Sequence, residues 1–235
     1  MKNKIVSIIS EGIEDQGVLV TILKAYGFES NEVKFIRPEL SKDATDIHDH
    51  SQTIGTFQGV KRACEGFDGK RPDFEKALLF KDCNSIIVHI DTAEIEEQGF
   101  IFKKPNKTKN ENYSIELRKL VIKQINNWLD NNYKENLLYA IAIEEIEAWC
   151  LTAIEKKDTV LSANPKKKLK KYLKENKLTY SKFKLDPIKD KREYYKKITT
   201  KLKFNKKVKL KKYAEYNQSL KCFIESLEVH LNKNG

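Results

Sequence analysis

The chain has 235 residues, 40% hydrophobic and 34% charged, and its 45 Lys and Arg against 34 Asp and Glu give a formal net charge of +11. A chain of this length can bury a core, and the composition is neither fibrous nor that of a disordered polymer. No apolar run approaches the ~20 residues of a membrane span, and the N-terminal apolar stretch is too short for a secretory signal. The four cysteines (Cys64, Cys83, Cys150, Cys222) form no Cys-x-x-Cys pair, which argues against a zinc site or a disulfide scaffold. The expectation is a cytoplasmic protein with no membrane association.

In chain order, Lys4-Ile5-Val6-Ser7-Ile8-Ile9-Ser10 is short, apolar and β-branched, as a buried strand requires. Glu11-Gly12 punctuates it, and a helix starting at Glu14 or Asp15 runs through Val18, Leu19, Ile22 and Leu23 to a stop at Gly27. Val33–Ile36 reads as a second strand, closed by Pro38. Residues 39–56 are polar and aperiodic and read as a long loop; His48-Asp49-His50 within it reads as solvated or as part of a lid. Helices are expected over 57–64 and 72–80. Ser85–Ile90 is a third buried strand with Asp91 directly after it, and His89 inside it reads as a hydrogen-bonded core residue. Residues 94–112 lack period. A helix capped by Ser114 carries Leu117, Leu120, Val121, Ile125 and Trp128 at helical spacing, followed by the apolar strand 137–143 and a helix over 144–153. Beyond Pro165 the pattern turns to lysine-rich helices near 165–176, 189–203 and 212–231. The last of these carries an apolar stripe, Leu220, Phe223, Ile224, Leu227 and Leu231, suited to packing back on the body.

Apolar strands alternating with helices predict an α/β fold with a largely parallel sheet. Residues 1–155 would form the sheet domain and 156–235 a basic helical extension. The charge is divided accordingly. Residues 151–235 hold 25 of the basic and 9 of the acidic residues, a net of +16, which leaves −5 for the rest. Such an excess attracts polyanions, above all nucleic acid. Lys166, Lys167, Lys168, Lys170, Lys171, Lys206, Lys207 and Lys209 are the candidate contacts.

The acids gather where a parallel sheet binds ligands, beyond the carboxyl ends of its strands. Glu11, Glu14 and Asp15 follow the first strand. Asp91 and Glu94 follow the third. Glu144, Glu145 and Glu147 follow the last. A single acid at each helix start is ordinary capping. Glu11 and Asp91, directly at strand ends, fit that explanation less well. Converging carboxylates with no His or Cys cluster suit Mg²⁺ or Mn²⁺, which clamp phosphodiester oxygens and activate water. No phosphate-binding glycine loop is present.

Ile8-Ile9-Ser10-Glu11-Gly12-Ile13-Glu14-Asp15 resembles the first motif of the Toprim domain, a strand ending in Glu-Gly before a helix. Ile86–Ala93 resembles the second, a strand ending in Asp-x-Asp, and Glu144-Glu145-Ile146-Glu147-Ala148-Trp149 is similar to the Glu-Ala-Trp segment of small Toprim-like proteins related to the overcoming-lysogenization-defect nucleases. The resemblance covers residues 4–155. It implies a Rossmann-like Toprim fold and a Mg²⁺-dependent nuclease serving as an anti-phage effector, with a partner ATPase or sensor and compatible with homo-oligomers. By the same resemblance Glu11, Asp91 and Glu147 are the catalytic residues, and these three with Glu144 are the metal ligands. One position departs: Ala93 stands where the family has its second aspartate. Two alternatives therefore stay open, a non-catalytic nucleic-acid-binding or regulatory subunit and a phosphotransfer enzyme acting on a small substrate.

Overall fold

The computed structural model describes residues 5–38, 57–79, 83–93, 95, 100–107 and 112–234. Strands β1 (Ile5–Ile9), β2 (Val33–Arg37), β3 (Cys83–Asp91) and β4 (Leu137–Ala142) form one sheet in the order β2-β1-β3-β4, and every pairing is parallel. The α/β expectation holds. Because the chain leaves β1 toward β2 on one side and later toward β3 on the other, the order reverses between β1 and β3. In open parallel sheets this crevice is where ligands bind.

The helices among the described residues are α1 (Ile13–Ala25), α2 (Phe57–Glu65), α3 (Pro72–Leu79), α4 (Tyr113–Trp128), α5 (Glu147–Glu155), α6 (Pro165–Glu175), α7 (Tyr180–Phe183), α8 (Lys191–Lys201), α9 (Lys207–Ala214) and α10 (Gln218–Asn234). None is long and apolar enough to cross a membrane. They sort by the two-residue period of the strands. Ile8, Ile87, Leu138 and Ala140 face a core shared with α1, α5, α6, α8, α9 and α10. Ile9, Val88, Ile90 and Ile141 face a second core built with α2, α3 and α4. Register locks the partition, with Ile8 opposite Ile87 and Ile9 opposite Val88.

The lysine-rich helices therefore complete one layer of the body. In α10 the expected stripe is buried: Leu220, Phe223, Ile224 and Leu227 enter the first core, with Phe223 stacked on Trp149 at 5.7 Å between ring centroids. On the same side α8 lies against α1, where Thr199 and Thr21 join hydroxyls at 2.7 Å.

Several boundaries differ from expectation, each for a local reason. Asp91 is the last residue of β3 and does not follow it. α4 starts at Tyr113, so Ser114 lies in its first turn and is not its cap. The helix expected from 144 starts at Glu147, because Glu144 adopts a positive φ of 66°. Its backbone is held by β3: Thr92 N–H and Ala93 N–H donate to Glu144 O, and Glu144 N–H donates to Thr92 Oγ1. The single helix expected over 212–231 is two, separated at Glu215–Asn217. Asn217 Oδ1 accepts from Ser219 N–H and Leu220 N–H and so starts α10 anew. The loop around His48-Asp49-His50 lies outside the described residues.

Candidate functional site

The alternation of β3 builds the centre of the site. Ile87, His89 and Asp91 share a face, and Ile87 belongs to the core on the α1 side. Glu11 follows β1 in a turn where Gly12 N–H donates to Asp15 Oδ2 at 2.7 Å, capping α1. A Cβ on Gly12 would lie 2.9 Å from that oxygen, so a larger residue there would shift the Asp15 carboxylate. Glu11 Oε1 accepts from Asp91 N–H at 2.9 Å, which joins the two strand ends across the crevice. Asp91 Oδ1 accepts from Ile146 N–H at 2.9 Å, at the start of α5. One turn into that helix, Glu147 Oε1 accepts from the Tyr195 hydroxyl at 2.9 Å. Glu11, Asp91 and Glu147, read in the sequence as one group, are thus linked to one region by neighbouring elements.

His89 is fully buried, and neither ring nitrogen has a hydrogen bond. Each lies near a carboxylate instead: Nδ1 is 3.5 Å from Asp15 Oδ2 and Nε2 is 3.3 Å from Asp91 Oδ1. It is a core residue, as the sequence suggested, set between two carboxylates whose charge favours its protonated form. Burial disfavours its charged form, but Asp15, Asp91 and Glu11 outweigh this and raise its pKa to about 9. The carboxyls shift the same way. Burial, then the neighbouring Asp91, pushes Glu11 up to about 8 and Glu147 up to about 7. Burial lifts Asp15 to about 6 although His89 opposes it.

All four groups bind protons more tightly in the folded chain than in the unfolded one. Their stabilising contribution is complete below the unfolded pKa values and is lost as pH rises through the folded ones, a window from about pH 4 to about pH 9. Without divalent ions, thermal unfolding should occur at a higher temperature at pH 6 than at pH 9, each extra bound proton being worth about 1.4 kcal/mol per pH unit. A midpoint that is level or rises between those values would contradict this electrostatic picture.

Not every predicted residue arrives. The Glu144 carboxylate is paired with Lys107. Its backbone, in a positive-φ turn, bonds to Thr92 and Ala93 just past β3. Ala93 offers no side-chain ligand; its N–H donates to Glu144 O and its carbonyl accepts from Lys104. Glu94, the next acid in the sequence, lies outside the described residues.

The basic residues divide. Lys166 and Lys170 line a cleft of about 380 Å³ beside Glu14 and Tyr195, together with Lys174 and Lys191. Burial works against the Lys166 ammonium, but Glu147, Glu14 and Glu145 outweigh it and raise its pKa. Lys167 does not line the cleft, Lys168 donates to Ser162, and Lys171 pairs with Glu175. Lys206, Lys207 and Lys209 lie at the start of α9. Lys207 pairs with Glu228 and sits over the Tyr26 ring, at the far end of α1 from Glu14. The thirteen residues of α1 span about 20 Å, so this second group is remote from the carboxylates.

Sequence reasoning missed Lys174, Lys191, Tyr195 and the charged role of His89. The last was signalled by its spacing of two from Asp91 on a strand. Tyr195 carried no comparable signal, because its meeting with Glu147 depends on how α8 packs.

The divalent cation implied by the motif resemblance was tested against these residues. No group of three or more His, Cys, Asp or Glu side chains among the described residues is arranged to hold a metal ion as they stand. Mg²⁺ needs less, one or two carboxylates and several waters. Glu11, Asp91 and Glu147 each use one oxygen in the bonds above and leave the other without a hydrogen bond among the described residues. Carboxylate oxygens of Glu11 and Asp91 are donors of the chemical class that a hard divalent ion takes.

Compared with protein-family models, with curated proteins and with solved structures, the chain matches none.

Proposed function

We propose that the protein is a Mg²⁺- or Mn²⁺-dependent hydrolase of nucleic-acid phosphodiesters. One observation carries this reading: Glu11 accepts from the Asp91 backbone across the β1/β3 switch point, and Glu147, one turn into α5, is bonded to Tyr195 on the wall of a cleft faced by Lys166, Lys170 and Lys174. Acids that hold a hard cation and ammoniums that hold phosphate are the two halves of a phosphodiester site.

Glu11 and Asp91 would hold the ion, with Glu147 next to them. When bound, the ion supplies Lewis-acid chemistry to phosphoryl oxygens. The chain's own residues do the positioning. The Tyr195 hydroxyl fixes one oxygen of Glu147. His89 offsets the repulsion between Asp15 and Asp91. Lys166, next to Glu147 and Glu145, is placed to orient a phosphate at the acidic end of the cleft. The anti-phage role and the partner ATPase or sensor belong to the same proposal through the motif resemblance.

The test is cleavage of labelled single- and double-stranded DNA and RNA with Mg²⁺, with Mn²⁺ and with chelator, alongside binding at several salt concentrations. Cleavage should appear with the ions and vanish with chelator. Three lysine contacts give a slope of log K against log salt of about −2 for a single strand and about −2.7 for a duplex. A second reading is favoured by Ala93, which offers no side-chain ligand where the family motif has an aspartate: a nucleic-acid-binding subunit without catalysis. Salt-dependent binding with no cleavage under any ion would select it.

A further inference from the structure

Resting on the phosphodiester reading above, we propose that the cleft between α6 and α8 is a nucleotide subsite: it takes one unpaired nucleoside phosphate, its phosphate on Lys166 and Lys170 and its base against Tyr180.

The cleft is built for both halves of such a ligand. Lys166, Lys170 and Lys174 recur every four residues, so α6 presents them in a row on one face. None of the three has an ion pair among the described residues, whereas Lys191 on the opposite wall is already matched by Glu14 at 3.6 Å. Lys166 faces Glu147, Glu14 and Glu145, whereas Lys170 and Lys174 have no acid paired with them among the described residues, and a phosphate is the group that would compensate them. The row's N-terminal member lies next to Glu147, which puts that phosphate at the acidic centre.

The aromatic part is equally ordered. Tyr180 stacks on Tyr194 with ring centroids 3.6 Å apart and planes 18° from parallel. Tyr194 is buried, and its hydroxyl donates to Leu178 O at 2.8 Å, which fixes the lower ring. Tyr180 is left half-buried on the cleft wall as a rigid platform. Aromatic platforms beside lysines bind unpaired bases, because a paired and stacked base offers no free face. The volume of about 380 Å³ lies within the range of small-ligand pockets, about 300–1,000 Å³.

The experiment measures binding in chelator at low salt, where no cleavage occurs. The ligands are adenosine 5′-monophosphate, ribose 5-phosphate and a single-stranded oligonucleotide, titrated calorimetrically into the full chain, Tyr180→Ala and Lys170→Met/Lys174→Met. Adenosine 5′-monophosphate should bind roughly tenfold or more tightly than ribose 5-phosphate, the usual contribution of one stacked base. Tyr180→Ala should remove that advantage, and the double lysine variant should weaken both ligands. Competition by the oligonucleotide would identify the occupant as a residue of a strand, and its failure would identify a free nucleotide. Equal affinity for the two phosphates, or unchanged affinity for the mononucleotide in either variant, would overturn the subsite. The two proposals fail separately. Metal-dependent cleavage without mononucleotide binding removes the subsite alone, and mononucleotide binding without cleavage removes the hydrolase alone.

Discussion

Asp91→Asn should lower metal-dependent cleavage by about 10²–10³-fold, the usual cost of removing one positioned catalytic group, while leaving the fold in place. The substitution is chosen because the asparagine carbonyl can still accept from Ile146 N–H, so the start of α5 keeps its partner. What is lost is a negative charge at the junction of β1 and β3, where Glu11 Oε1 meets the Asp91 backbone. His89 keeps Asp15 as its remaining counter-charge. Cleavage rates in Mg²⁺ and Mn²⁺, read beside the unfolding temperature, separate the two effects. Full cleavage in Asp91→Asn would remove this carboxylate from the reaction.

The second large effect is expected at Gly17. At an open helical position, alanine gains about 1 kcal/mol over glycine. Here a Cβ would lie 2.5 Å from the Arg192 carbonyl oxygen, 2.9 Å from Tyr195 Cβ and 3.0 Å from the Lys196 nitrogen. The missing side chain is what lets α8 lie directly on α1. Gly17→Ala should therefore reverse the usual sign and cost about 1–3 kcal/mol, as overpacking does, lowering the unfolding midpoint by roughly 2–4 °C for each kcal/mol. The displaced helix carries both Tyr195, the partner of Glu147, and Lys191, the partner of Glu14. Binding of phosphate ligands in the cleft should weaken with it. A midpoint equal to or above that of the parent would show that the helices separate without cost.

The strands were the most legible part of the sequence. Ile5–Ile9, Val33–Arg37, Cys83–Asp91 and Leu137–Ala142 are β-branched or apolar runs between punctuating residues, and buried parallel strands are written in that way. The acids at their ends were legible for the same reason, since a strand end locates the binding edge before any packing is known. The helical third was read less well. The helix Lys207–Ala214 was missed over its first five residues and its end was joined to the helix after it, because its buried side is only Leu210 and Ala214, one turn apart. The Asn217 cap that separates them is a short polar residue among many. Glu144 was misassigned because its neighbours look helical, while a positive φ and three backbone bonds to Thr92 and Ala93 hold it in a turn.

Charge counting placed a basic surface in the last third but could not divide it. The lysines of α6 turn toward the carboxylates, whereas those of α9 sit at the opposite end of α1. That division follows from α8 packing on α1 through Gly17, a contact between residues 175 or more positions apart, which no local pattern records.

Calorimetric titration of Mn²⁺ into the chain, Glu11→Gln and Asp91→Asn tests the account most directly, because it asks whether the carboxylates at the β1/β3 switch point hold a divalent ion at all. The account predicts one ion bound per parent chain and at least tenfold weaker binding in each variant, roughly the loss expected when a ligating carboxylate is removed. Absence of binding in the parent, or equal affinity in all three proteins, would contradict it.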